Sequence, residues 1–194
     1  MSDLTPGCGA VRLGQSAAGE ILWHNGYMHT ISPRAEERTF DTAHFRQALG
    51  QFATGVTVIT TRLADGTFRG LTASSFNSVS LDPPLVLWSL ANGATSMPIF
   101  TGNSHYVINV LSADQAHLAK QFASRSGNPW ETAEYELSRT GQPILKGASA
   151  WFECHNRSRY PEGDHVIFVG EVELCEFSPA PPLIFHGGQF GSLG

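Results

Sequence analysis

The chain has 194 residues, of which 41% are hydrophobic and 15% charged. That is enough for one compact domain with an arm, and the composition excludes a disordered chain. The net charge is −5 and the Lys and Arg residues are scattered, which excludes the basic stripe that nucleic-acid binding requires.

In chain order, Met1 to Glu37 stands apart. It is rich in Gly, Ser and Ala, shows no sustained period, and reads as an extension, poorly ordered or packed on the surface, with Trp23 and Tyr27 available for packing. A single domain is expected over 38–194. Asp41 or Thr42 can cap a helix whose Phe45, Leu49 and Phe52 fall on one apolar face, bounded by Gly50 and Gly55. Val56 to Thr61 is β-branched almost throughout and predicts a strand. Asp65-Gly66 predicts a turn and Phe68 to Ala73 the returning strand. Pro83-Pro84 closes the next loop, and Leu85 to Leu90 is a short apolar strand.

Ser96 to Phe100 suits one helical turn, with Pro98 tolerated near its start, and His105 to Leu111 another strand. Ser112 and Gln115 have the spacing of a capping box, opening a helix with Leu118, Ala119 and Phe122 inward. Residues 124–146 form a long polar stretch with Gly and Pro, expected as a functional or covering connection. Ala148, Ala150, Phe152 and Cys154 then alternate with Trp151 and Glu153, Val166 to Phe177 is a long strand, and Leu183 to Phe185 the last. Many strands, few short helices and hairpin-length turns predict a mainly β fold, a closed or split antiparallel barrel.

The cysteines, Cys8, Cys154 and Cys175, are odd in number and widely spaced, which fits a reducing cytoplasm better than a disulfide framework. No apolar run nears the roughly 20 residues of a membrane helix, and no secretory signal opens the chain. There is no Gly-x-Gly-x-x-Gly between a strand and a helix and no Gly-Lys-Ser/Thr loop; Gly187-Gly188-Gln189-Phe190-Gly191 has no helix after it. His24, His29, Cys154 and His155 lack the spacing of a zinc set, so no metal is expected. A nucleophilic triad of Cys154, His165 and Asp164 is unsupported, since Cys154 shares a face with Phe152 and reads as core.

Three segments carry the functional reading. They are Phe45 to Thr60, Gly70 to Leu87, and Gly163-Asp164-His165 with the strand that follows through Gly170-Glu171-Val172. The second delivers Ser74, Ser75, Asn77, Ser78 and Ser80 within seven residues at the end of a strand. Short hydroxyls and exposed N–H groups suit a phosphate or a flavin edge, although Ser and Asn also favour plain polar turns.

Together these segments resemble the flavin reductase-like family, over about Phe40 to Phe190. The resemblance implies an FMN-binding type of split β-barrel and an NAD(P)H-dependent flavin reductase. It implies FMN or FAD as the flavin and NADH or NADPH as the hydride donor. The family is homodimeric and supplies reduced flavin to a partner flavin-dependent monooxygenase. It implies flavin contacts at Thr72, Ala73, Ser74, Ser75, Phe76, Ser78 and Val79, completed by Gly93, Ala94, Thr95 and Ser96. It places the nicotinamide nucleotide at Gly163, Asp164 and His165 and near Phe185 and His186, with His165 positioning the nicotinamide. The chain departs from the family at Ala91 to Ala94, where many relatives carry a basic residue, and at Phe185 and His186, often Tyr and Arg. Two other readings remain open at this point: a flavoprotein that retains FMN and acts on a dedicated substrate, and a non-catalytic flavin-binding protein.

Overall fold

The computed structural model describes residues 11–16, 19–24, 27–31 and 39–193. Cys8 and the side chains of Trp23 and Tyr27 lie outside the described residues. The chain divides into two compact units, Met1–Phe45 and Arg46–Gly194. In the first unit, β1 (Val11–Ser16), β2 (Gly19–His24) and β3 (Tyr27–Ile31) pair as an antiparallel meander, within the stretch read as an aperiodic extension. Helix α1 (Thr42–Leu49) crosses the division. Asp41 caps it, its carboxylate accepting the His44 N–H at 2.7 Å. The expected apolar face is not covered: Phe45, Leu49 and Phe52 are all about half exposed or more. Periodicity identifies an apolar face but not what packs on it.

The second unit is built on one seven-stranded antiparallel sheet. Its strands are β5 (Thr57–Arg62), β6 (Phe68–Ala73), β7 (Asn77–Leu81), β8 (Pro84–Ala91), β9 (His105–Val110), β12 (Ala150–Glu162) and β13 (His165–Phe177). They lie in the order β6-β5-β9-β12-β13-β8-β7. The two edge strands, β6 and β7, are consecutive in the chain, and only Ser74, Ser75 and Phe76 join them. The four steps from Ala73 to Asn77 reach about 14 Å at most. A seven-stranded sheet can meet that limit only by curling until its edges nearly touch. The result is a barrel split along one seam, and the hydroxyl-rich linker crosses the seam.

The curled sheet buries both faces. Inside lie Ile59, Trp88, Phe100, Tyr106, Ile108, Cys154 and Phe168, with Trp88 stacked on Phe168 at 4.6 Å between centroids. The Ile and Phe side chains among them each contribute roughly 1.5–3 kcal/mol on burial. The inner wall is tight at Gly170, where a Cβ would sit 2.9 Å from that of Cys154. Outside lies a second cluster of Val58, Leu111, Leu118, Phe122, Leu145 and Leu183. Ile59 faces one core and Val58 the other, which explains why β5 reads as a continuous run.

Helix α3 (Ala116–Ala123) covers the outer face. The capping box forms as expected, with Ser112 N–H donating to Gln115 Oε1 at 3.1 Å, but it opens a 3-10 turn, Ala113–Gln115, that runs into α3. At Gly70, a Cβ would lie 2.7 Å from the Phe122 ring, so glycine lets α3 sit close on β6. The helical turn foreseen near Ser96 is α2 (Met97–Gly102).

Residues 124–146 are not one structureless connection. They hold a 3-10 turn at Pro129–Glu131 and the hairpin of β10 (Tyr135–Leu137) and β11 (Pro143–Leu145). Two buried polar groups fix this segment to the sheet. Asn109 accepts the Leu145 N–H at 2.8 Å and donates to the Val58 carbonyl at 3.0 Å. Glu153, fully buried, accepts from Ser138 Oγ at 2.5 Å, from Thr140 N–H at 2.9 Å and from the Thr140 hydroxyl. Glu153 therefore does not alternate outward to solvent, because the hairpin covers that face. A short sheet of β4 (Thr54–Gly55), β14 (Leu183–His186) and β15 (Gln189–Ser192) completes the unit. Strands β7 and β15 were not legible as strands, since one is Ser- and Asn-rich and the other glycine-rich.

Among the described residues no helix is long and apolar enough to cross a membrane.

Candidate functional site

The seam linker is held from one side. Ser75 Oγ accepts the Ser89 N–H at 2.9 Å and donates to the Ser89 carbonyl at 3.2 Å, tacking the linker to β8. Phe76 turns inward, its ring 5.4 Å from that of Phe152. Ser74, Ser75 and Ser78 remain exposed, and Val79 is 48% exposed. Two of the expected flavin contacts are already engaged in the fold. The Thr72 hydroxyl donates to the Ala119 carbonyl at 2.7 Å, and buried Ala73 accepts from Thr57 Oγ1 at 2.7 Å through its carbonyl. Thr72 thus anchors α3, while its hydroxyl oxygen retains acceptor capacity.

Two residues beyond Ser89, β8 ends at Ala91, which pairs with His165. The loop Gly93 to Ser96 follows, and the Gly163-Asp164 turn meets it. Asn92 N–H donates to the Asp164 carbonyl at 2.9 Å and its side-chain amide to the Gly163 carbonyl at 3.3 Å. Gly163 has φ +59°, which the turn requires and a side chain would strain. Seam linker, Gly93–Ser96 loop and Gly163–His165 turn therefore gather at one end of β8, although about 90 residues of sequence separate the first from the last. Ala94 packs on the inner core, and the Ser96 hydroxyl makes no cap bond to α2 although Ser96 holds the N-cap position.

His165 is half-exposed and its Nδ1 lies 2.7 Å from Asp164 Oδ1. The hydrogen bond and charge of His165 hold the Asp164 carboxyl below the usual carboxylate range. An ionised carboxylate accepts only, so Nδ1 is the donor to Asp164; Nε2 accepts a hydrogen bond only in the uncharged form of the ring.

Phe185 lies on the other flank of the seam. It pairs with Thr54 of β4, and its ring sits 5.5 Å from that of Phe190. With Val56, Thr72, Ser74 and Lys120 these two rings line a cavity of about 270 Å³. His186 is exposed beside it in the chain and does not line the cavity. Sequence reading missed Lys120 and Phe190. Lys120 follows the inward Ala119 on α3 and carries no local motif. Phe190 lies in a glycine-rich tail, with only its aromatic ring as a signal. Among the described residues no group of three or more His, Cys, Asp or Glu is placed to hold a metal.

A barrel that opens a hydroxyl-lined seam beside an aromatic, cation-edged cavity belongs to the class of split barrels that bind nucleotide cofactors. The chain belongs to the flavin reductase like domain family, whose match covers residues 49–194. It is 43% identical over 163 residues to an FMN reductase (NADH), SmoA, of Agrobacterium fabrum, covering 84% of this chain and 90% of the relative. It is 42% identical over 145 residues to the reductase component of the flavin-dependent trigonelline monooxygenase of Acinetobacter baylyi, covering 75% of this chain and 47% of that one. Among solved structures it is similar to the NADH:FAD oxidoreductase SgcE6 of Streptomyces globisporus in complex with NAD and FAD fragments. The TM-score is 0.76 at 37% identity, over 79% of this chain and 93% of that one.

Proposed function

We infer that this chain is the reductase half of a two-component system: an NAD(P)H-dependent flavin reductase that reduces FMN or FAD and passes the product to a monooxygenase. The carrying observation is the seam, where the unbonded hydroxyls of Ser74 and Ser78 lie on the linker beside an aromatic cavity that Ser74 itself lines. The residues fit a flavin. Its apolar ring suits the cavity that Phe185 and Phe190 line, and its polar edge suits the unbonded hydroxyls of Ser74 and Ser78.

A bound flavin supplies the hydride acceptor, so the chain needs no nucleophile of its own. Its residues bind and orient. Ser74, Ser75, Phe76, Ser78 and Val79 hold the ring's edge, with Thr72 and Ala73 shaping the wall behind it. Gly93, Thr95 and Ser96 would receive the phosphate-bearing chain of the flavin through backbone N–H groups and the Thr95 and Ser96 hydroxyls, while Ala94, whose N–H is bonded to the Ala91 carbonyl at 2.9 Å, shapes the loop. His165, fixed by Asp164 on the turn at Gly163, accepts a hydrogen bond at Nε2 from the nicotinamide carboxamide when its ring is uncharged, and the family resemblance assigns Phe185 and His186 to the nicotinamide's surroundings.

The homodimer is part of this reading. Leu81 is 95% exposed at the edge strand β7 and Phe177 85% exposed at the end of β13, apolar groups suited to a second copy. A cytoplasmic location suits the free thiols of Cys154 and Cys175.

The test is NADH and NADPH oxidation by purified protein in air, with FMN, with FAD and with neither. Oxidation that requires added flavin is the expected result. Flavin that stays bound through purification without supporting oxidation would overturn the reductase reading in favour of a binding protein. Activity confined to an organic substrate would overturn it in favour of a dedicated flavoenzyme.

A further inference from the structure

His165 stands where two ladders end. It is the first residue of β13 and pairs with Glu162 of β12 across the two-residue turn Gly163-Asp164. Its partner on β8 is Ala91, the last residue of that strand. Ladder ends open more readily than ladder centres, so pairing alone defines the place of His165 loosely. The Asp164 side chain is 95% exposed and bonds back to His165 Nδ1 at 2.7 Å, so the pair moves with the turn that carries it. Asn92 ties this turn to the end of β8. Its N–H donates to the Asp164 carbonyl at 2.9 Å and its Nδ2 to the Gly163 carbonyl at 3.3 Å, so one residue grips both carbonyls of the turn. The next residue, Gly93, opens the loop assigned to the phosphate-bearing chain of the flavin.

We propose that Asn92 is a positioning residue for the reductase reaction: by clamping the Gly163-Asp164 turn to the start of the Gly93–Ser96 loop, it sets where His165 stands relative to a bound flavin. Asn92 acts through His165. It and Gly163 are 71 positions apart in the chain, so the clamp joins the two ligands' sites by a short path that the sequence does not provide. Nicotinamide and flavin must meet in a defined geometry, and a displaced His165 weakens productive binding of NADH. Asn92 is exposed, so truncating its side chain opens no cavity and keeps the backbone bond to Asp164. The Gly163 carbonyl is then left to water, and His165 samples a wider range of positions. This inference rests on the reductase reading and on the place of His165 within it.

The test is steady-state kinetics of the full chain, with FMN saturating and NADH varied, on wild type, Asn92→Ala, His165→Ala and the double variant. Flavin fluorescence supplies the FMN dissociation constant of each. Asn92→Ala should raise the KM for NADH about threefold, within the worth of one exposed hydrogen bond, and leave the FMN constant within about 1.5-fold. In the His165→Ala background the same substitution should have almost no further effect, since the side chain it positions is gone. Both constants moving together, or neither moving, would reduce Asn92 to a structural clamp and overturn the proposal. A rise in KM that persists without the His165 ring would overturn it too, because Asn92 would then act by another route. If His165→Ala itself leaves the KM unchanged, the proposal falls with that role. The reductase reading is judged separately: flavin-dependent NADH oxidation by wild type upholds it even where Asn92 fails, and the absence of such oxidation removes both.

Discussion

Two polar stretches of this chain look alike in composition and behave in opposite ways. Ser74 to Ser80 crosses the seam; Ser138 to Gln142 turns the β10–β11 hairpin. Both are rich in hydroxyls. In the hairpin the hydroxyls face inward: Ser138 and Thr140 both donate to buried Glu153, and Gln142 Oε1 accepts the Arg62 N–H at 2.7 Å. At the seam, Ser74 and Ser78 point their hydroxyls at no protein acceptor and stay exposed, and Ser75 alone is tied back, to Ser89. Polar residues whose hydrogen bonds close within the protein stabilise it. Those left open, beside a cavity, are where a ligand can bind.

The largest expected effect is at the closed stretch. Glu153→Ala removes a buried carboxylate and strands the donors of Ser138 and Thr140, at a cost of about 2–4 kcal/mol in urea unfolding. Flavin affinity of the folded fraction should stay within about twofold, because Glu153 does not reach the seam. A variant as stable as wild type would break the comparison at its inward half.

The seam should respond in reverse. Ser74→Ala with Ser78→Ala is expected to weaken FMN binding about tenfold, read by flavin fluorescence, while shifting unfolding by less than about 0.5 kcal/mol. Loss of stability without loss of flavin would place these serines with the hairpin rather than with the site.

His165→Ala sharpens the site itself. The KM for NADH should rise about fivefold, with the flavin dissociation constant changed less, since His165 addresses the nicotinamide. Equal changes in both, or none in either, would remove it from that role.

The smallest effect is the acid limb of stability. Burial pushes the Glu153 carboxyl up, but hydrogen bonds from Ser138 and Thr140 outweigh it and hold the group below its ordinary 4.5. A group depressed in the folded state contributes stability that is complete above its unfolded value and is lost as pH falls through the folded one. Wild type should therefore lose stability more steeply below about pH 4.5 than Glu153→Gln, which carries no titrating group there. Urea midpoints measured from pH 6 to 3 would read the difference, and parallel curves would contradict it.

Much of the molecule was legible in the sequence because local rules governed it. The β-branched run at Val56 to Thr61, the Asp65-Gly66 turn, the Ser112–Gln115 capping box and the long strand ending at Phe177 each report through near neighbours. Asp41 capped the helix as its spacing predicts, yet the apolar face behind it stayed exposed, because a period cannot name a partner. β10 and β11 escaped notice for a related reason. They are three residues each, and Asn109 and Glu153, far away in sequence, hold the segment in place.

By itself, then, the amino-acid order determined the strands, the helix caps, the absence of a Rossmann or P-loop phosphate motif and the family likeness that points to flavin, since each depends on residues within a few positions of one another. Only the tertiary structure decided that Thr72 anchors α3, that Glu153 is buried and bonded, that Lys120 and Phe190 border the cavity, and that Ser75, Ala91 and His165 come to one end of β8. Those outcomes depend on which faces the curled sheet brings together, and the curl is imposed by a three-residue link between strands at opposite edges of the sheet.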